Sequence, residues 1–199
     1  MVEGFNIMNL PNKLTLLRFA LVPVFMVFMY IDNPYSYLIG LIVFAVASFT
    51  DFLDGSIARK YNMVTDFGKF MDPLADKLLT TVALIYLCLN GMCHEVVICI
   101  VLAREFAVSG IRLIAAANPK GGKVIAAGMM GKMKTVLQMV ASMLGLLAMA
   151  LLSMGTIPQA TYDMMAMVTN ILMWAMAVLT VVSGMQYIVP NFDLIKNAK

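Results

Sequence analysis

The stretch DFLDGSIARKYNMVTDFGKFMDPLAD, Asp51 to Asp76, decides how this chain is read. Four of its carboxylates, Asp51, Asp54, Asp72 and Asp76, are set around Gly55, Ala58, Arg59 and Gly68. Asp51 and Asp54 are spaced i, i+3 near the end of one apolar run, so they share a helix face. Asp72 and Asp76 are spaced i, i+4 at the start of the next run and share a face as well. A tight reversal between the two helices brings the pairs together as a four-carboxylate cup at a membrane surface.

Outward from this stretch, the composition demands lipid as solvent. Of 199 residues, 62% are hydrophobic and only 13% charged, with a mean hydropathy of +0.89, far above soluble averages. The length fits a single domain over residues 1–199. Cys88, Cys93 and Cys99 are odd in number and lack paired spacing, so they read as small apolar residues rather than ligands. Met1 to Asn12 has no basic segment followed by a short apolar stretch and a cleavage site, so the first apolar run is expected to stay as a span.

The apolar runs predict an all-α integral membrane protein with six transmembrane helices, at about 14–31, 37–60, 70–90, 96–117, 135–154 and 164–189. Met1 to Asn12 reads as a short interfacial helix, with Phe5, Ile7, Met8 and Leu10 in lipid. Pro73 is placed in the first turn of its helix, where proline is tolerated. Lys13, Arg18, Arg59, Lys60, Lys69, Lys77, Lys120, Lys123, Lys132, Lys134, Lys196 and Lys199 fall on the side of the termini or within about two turns of it. The opposite loops, near Asp32, Gly91 and Gly155, carry no lysine or arginine. The positive-inside rule therefore predicts cytoplasmic termini and a cytoplasmic cup.

A carboxylate at mid-helix in a membrane costs ~2.5 to 3.5 kcal/mol on insertion scales, and four together repel. Cations relieve both problems, and an all-oxygen donor set suits Mg²⁺, Mn²⁺ or Ca²⁺ rather than zinc. Two such ions sharing carboxylates would clamp a phosphate undergoing displacement. The bland alternative is a set of solvated aspartates at helix ends, with Asp66 and Asp72 as N-caps. Gly55 and Ala58 leave no bulk beside the carboxylates, so a ligand can approach the backbone, and Arg59 offers a bidentate partner for phosphate.

Asp51-x-x-Asp54-Gly55-x-x-Ala58-Arg59, followed after eight residues by Gly68-x-x-x-Asp72-x-x-x-Asp76, resembles the signature of the CDP-alcohol phosphotransferases at every defined position. These are integral membrane enzymes that displace CMP from a CDP-linked substrate with an alcohol. The resemblance implies two divalent cations, Mg²⁺ or Mn²⁺, held by Asp51, Asp54, Asp72 and Asp76, with Asp76 also the general base. It implies a CDP pocket lined by Asp54, Gly55, Ala58, Arg59 and Gly68. It further implies a homodimer in the cell membrane, with CDP-diacylglycerol and membrane lipids as partners and no nucleic acid.

Three more segments resemble the phosphatidylglycerophosphate synthases of that family, which use glycerol 3-phosphate as acceptor: Asn9 to Arg18, Ala103 to Arg112, and Gly131-Lys132-Met133-Lys134-Thr135-x-x-Gln138. The residues point the same way. Arg104 and Arg112 lie on one flank of the fourth helix, and intramembrane arginines pair or face a polar cavity. With Lys132 or Lys134 they are expected to bind a dianionic phosphate on the acceptor. The competing structural reading pairs Glu105 with Arg112 as glue between helices. His94 reads as a lone exposed turn residue on the far side. Two rival functions stay open at this point. One is the same chemistry on phosphatidylglycerol, inositol phosphate or serine. The other is cation or proton transport, which would need ionisable groups through the full membrane depth.

Overall fold

The computed structural model describes residues 10–31, 33–61, 66–117 and 128–191, with side chains described at 15–31, 33–50, 74, 77–112 and 128–191. Among them are six α-helices: α1 (Leu10–Tyr30), α2 (Ser36–Tyr61), α3 (Asp66–Leu89), α4 (Glu95–Ala117), α5 (Met129–Ser153) and α6 (Gln159–Ile188). A single 3-10 turn, Val189–Asn191, ends the described chain and contains Pro190. The expected interfacial helix falls largely in residues 1–9, outside the described set.

The turns follow from local chemistry. After α1, the Ser36 hydroxyl donates to the carbonyls of Ile31 (2.8 Å) and Asn33 (2.7 Å), while the Tyr35 amide donates to Asn33 Oδ1 (2.9 Å). At the end of α3, Gly91 takes φ 73°. Its amide donates to Cys88 O (3.0 Å) and that of Met92 to Leu87 O (2.9 Å), which satisfies carbonyls the helix leaves open. Gly155 (φ 67°) repeats the device after α5, with Gly155 N to Leu152 O at 2.9 Å and Thr156 N to Leu151 O at 3.0 Å. His94 is exposed, but it caps α4: the Val96 amide donates to its Nδ1 at 3.2 Å. Its ring also lies 5.8 Å from that of Trp174.

α1 packs against α2 and α3, α2 against α5, α5 against α6, and α6 against α4. Phe25, Phe44 and Tyr86 join α1, α2 and α3 through ring contacts at 6.0 and 6.1 Å. The core continues through Leu84, Leu87, Met92, Val97, Leu146, Met173 and Met176. Hydroxyls inside α6 are satisfied within the helix: Thr169 donates to Met165 O (2.8 Å) and Thr180 to Met176 O (2.7 Å). Burial pushes the Cys93 thiol up to about 12, and the neighbouring Cys88 adds to the shift, so Cys93 is an inert, protonated filler. The outer surface is apolar on every helix: Val27 is 55% exposed, Phe49 63%, Phe106 68% and Val178 61%. Met129–Ser153 and Gln159–Asn191 are long and apolar enough to cross a membrane. A bundle with this exterior is consistent with a membrane protein.

Four helices begin a turn or more earlier than the sequence expectation: α1 at Leu10 rather than 14, α3 at Asp66 rather than 70, α5 at Met129 rather than 135 and α6 at Gln159 rather than 164. α3 begins at Asp66, so Pro73 lies beyond its first turn. α5 begins at Met129, which brings both Lys132 and Lys134 inside the helix.

Candidate active site at the polar end of the bundle

Asp51 and Asp54 lie in the second half of α2, and Asp72 and Asp76 in the first half of α3. The side chains of these four, and of Gly55, Ala58, Arg59 and Gly68, lie outside the described residues, as do residues 62–65 of the reversal between the helices. Along α3 the continuously described side chains begin one residue after Asp76, at Lys77.

Lys77 reaches from α3 to α4. Its ammonium donates to the Ser109 hydroxyl and to the Glu105 carbonyl oxygen (3.1 Å), and lies 3.6 Å from Glu105 Oε2. Lys134, near the start of α5, donates to Glu105 Oε1 at 2.7 Å, and Arg104 Nη1 approaches the same oxygen at 3.0 Å. One carboxylate thus gathers three cations from three helices. Lys134 is 2% exposed, while the long stems of Lys77 and Arg104 keep their heads at the edge of the bundle. Arg104 Nε is buried with no hydrogen-bond partner among the described residues.

Two glycines make room for that guanidinium. A Cβ on Gly131 of α5 would meet Arg104 Nη2 at 3.2 Å, and one on Gly184 of α6 would meet Arg104 Cγ at 3.2 Å. Arg18 on α1, unlike Arg104, is fully buried, 1% exposed, in the segment that carries Thr15.

Of the four cations expected from the sequence at an acceptor phosphate, the structure joins Arg104 and Lys134. Arg112 is exposed and turned elsewhere: its Nε donates to the Tyr187 hydroxyl at 3.4 Å, and its guanidinium lies 5.6 Å above that ring. Lys132 is exposed on the outer side of α5. The Glu105–Arg112 pairing does not occur. Glu105 turns instead toward α3 and α5, where Lys77 and Lys134 are nearer than a residue two turns along its own helix. In the sequence Lys77 stands out only as one of the basic residues on the side of the termini. The available signal was its place directly after Asp76, inside an apolar run.

Fold and site together define a class: a bundle of apolar helices with three cations gathered on one carboxylate at the end where α3 and α5 begin and α4 and α6 finish. Comparison with known proteins narrows this. A family model of CDP-alcohol phosphatidyltransferases matches residues 8–182. The chain belongs to that family. It is 40% identical to the CDP-diacylglycerol–glycerol-3-phosphate 3-phosphatidyltransferase of Bacillus subtilis, over 96% of this chain and 98% of the relative. It is 40% identical to the protein of the same name from Rickettsia bellii, over 90% and 93%. It is 38% identical to a probable phosphatidylglycerophosphate synthase of Mycobacterium tuberculosis, over 92% of this chain and 81% of the relative.

Proposed function

We propose that this protein transfers the phosphatidyl group of CDP-diacylglycerol to sn-glycerol 3-phosphate, giving phosphatidylglycerophosphate and CMP. The observation that carries the reading is the junction at Lys77. The residue directly after Asp76 meets Glu105, and through it Arg104 and Lys134. Cations suited to an acceptor phosphate therefore adjoin the helix that bears the proposed base. The near full-length likeness to relatives bearing that activity in their names supports it.

In this reading the acyl chains lie in the leaflet, and the CDP moiety meets Asp54, Gly55, Ala58, Arg59 and Gly68. Arg104 and Lys134 hold the acceptor phosphate, with Arg112 and Lys132 at the rim drawing the dianion inward. Asp76 takes the proton of the glycerol 3-phosphate 1-hydroxyl as that oxygen bonds to the phosphorus carrying diacylglycerol. The bond from that phosphorus to the CMP oxygen breaks, and CMP departs with the electron pair. Asp51, Asp54, Asp72 and Asp76 would hold two divalent ions, and their all-oxygen donor chemistry suits Mg²⁺ or Mn²⁺. When bound, such ions neutralise charge on the departing CMP. The protein residues orient the two substrates and keep the acceptor phosphate apart from the reacting one.

We place the chain in the cell membrane as a single domain of six spans. The termini and the site face the cytoplasm, an interfacial helix precedes α1, and the assembly is a homodimer. The lysine and arginine distribution, the apolar exterior and the family resemblance support this placement.

The test is CMP release by detergent-purified protein supplied with CDP-diacylglycerol and Mg²⁺, with and without glycerol 3-phosphate. Release should require glycerol 3-phosphate, and Asp76→Asn should lower it by about 10² to 10⁴-fold with an unchanged melting temperature. Release with a different alcohol alone would overturn the acceptor. No release from folded wild type with any alcohol would overturn the enzyme reading.

A further inference from the structure

We infer that Glu105 is the positioning residue of the acceptor site and that Lys77 is a third acceptor cation. Together they set the site for a phosphomonoester dianion. The inference rests on the acceptor reading above.

Three observations carry it. First, among the described residues the network sets three cations against one carboxylate, an excess of positive charge that suits an anionic acceptor group such as a phosphate monoester. Second, the cations come from α3, α4 and α5, and Glu105 touches all three, so it fixes their spacing before any ligand arrives. Third, the network leaves a donor over. Arg104 Nε has no hydrogen-bond partner among the described residues, although Gly131 and Gly184 open a slot for this guanidinium. An unmet donor on a largely buried guanidinium is a group left for a ligand to satisfy.

Lys77 adds the link to chemistry. Ser109 and the Glu105 backbone hold its ammonium, and its own backbone follows Asp76 directly on α3. An acceptor phosphate that draws on Lys77 is thereby fixed relative to the helix of the base.

The direction of the Glu105 effect is diagnostic. Plain electrostatics says that removing a carboxylate from an anion site tightens anion binding. A positioning role says the reverse for turnover. CMP release is measured with full-length protein as a function of glycerol 3-phosphate and of CDP-diacylglycerol, with inorganic phosphate as a competing probe. Glu105→Gln should lower kcat/KM for glycerol 3-phosphate by about tenfold or more, with Glu105→Asp recovering part of it. Lys77→Met should raise KM for glycerol 3-phosphate by about tenfold and weaken inhibition by phosphate to match, leaving KM for CDP-diacylglycerol within about twofold. Should Lys77→Met not fold, Lys77→Arg keeps the charge but moves it, and should raise the same KM by about threefold. The inference is overturned if Glu105→Gln equals or exceeds wild type in kcat/KM. Folded Lys77 variants with wild-type acceptor KM overturn it too, as does a loss shared equally by both substrates, which marks a structural network. Failure of wild type to use glycerol 3-phosphate would instead strike the acceptor reading itself.

Discussion

The two ends of this bundle use the same device for opposite purposes. Toward the far end, Gly145 of α5 faces Leu87, Met92 and Thr169, and a Cβ there would come within 2.5, 3.1 and 3.1 Å of them. Toward the near end, Gly131 and Gly184 face Arg104. In both places a missing side chain lets helices approach. At the far end the space is filled by fully buried apolar groups such as Leu87 and Met92, and it yields packing. At the near end it houses a guanidinium, and it yields an oriented charge. A glycine in a helix interior costs roughly 1 kcal/mol relative to alanine, so each site must return something for that cost.

The comparison breaks most visibly at Gly145. Gly145→Val should destabilise the fold by about 2 to 3 kcal/mol, because Leu87 has no room to retreat and the two other neighbours are already tight. Thermal unfolding in detergent reads this directly, while CMP release per folded molecule should hold. Loss of activity without loss of stability would mean that the far end communicates with the site, and the division between the ends would fail.

Gly184→Ala sharpens the same contrast with a smaller effect of a different kind. Alanine favours the helix by up to about 1 kcal/mol, and the tight approach to Arg104 Cγ offsets part of that gain, so stability should stay level or rise slightly. Activity should fall by about three- to tenfold, through displacement of Arg104 from a geometry in which small shifts matter. A stable and fully active variant would show that the slot does not position the guanidinium.

What the sequence disclosed and what it withheld follow this same division. The helices were legible because long apolar runs are a local property, and the glycine turns at Gly91 and Gly155 mark where two of them stop. The start of α5 was not, because Gly131 to Lys134 is polar by composition. Glu105, from another helix, neutralises Lys134 and allows it to lie buried inside a helix. The motif carrying the four aspartates was legible as a spacing. The partners of Lys77 were not, since the residues it meets lie 28 and 32 positions away and only packing brings them near. Arg104 and Arg112 share a flank of α4 by helical geometry, yet they diverge. α4 faces Lys134 at one position and the end of α6, with Tyr187, at the other.

That divergence yields the smallest and most discriminating effect. Arg112 and Lys132 are exposed, so as rim charges they should act by attracting the dianion rather than by holding it. Arg112→Gln or Lys132→Gln should raise KM for glycerol 3-phosphate by only about two- to threefold. That difference should vanish near 0.5 M salt, where the screening length is only about 4 Å. Arg104→Gln removes a shielded charge from the Glu105 network, so its loss of about tenfold or more in kcat/KM should persist at the same salt. Equal, salt-resistant losses for Arg112 and Arg104 would place both arginines on the acceptor. The Tyr187 contact would then have to open when substrate binds, and the distinction between a rim and an interior of the acceptor site would collapse.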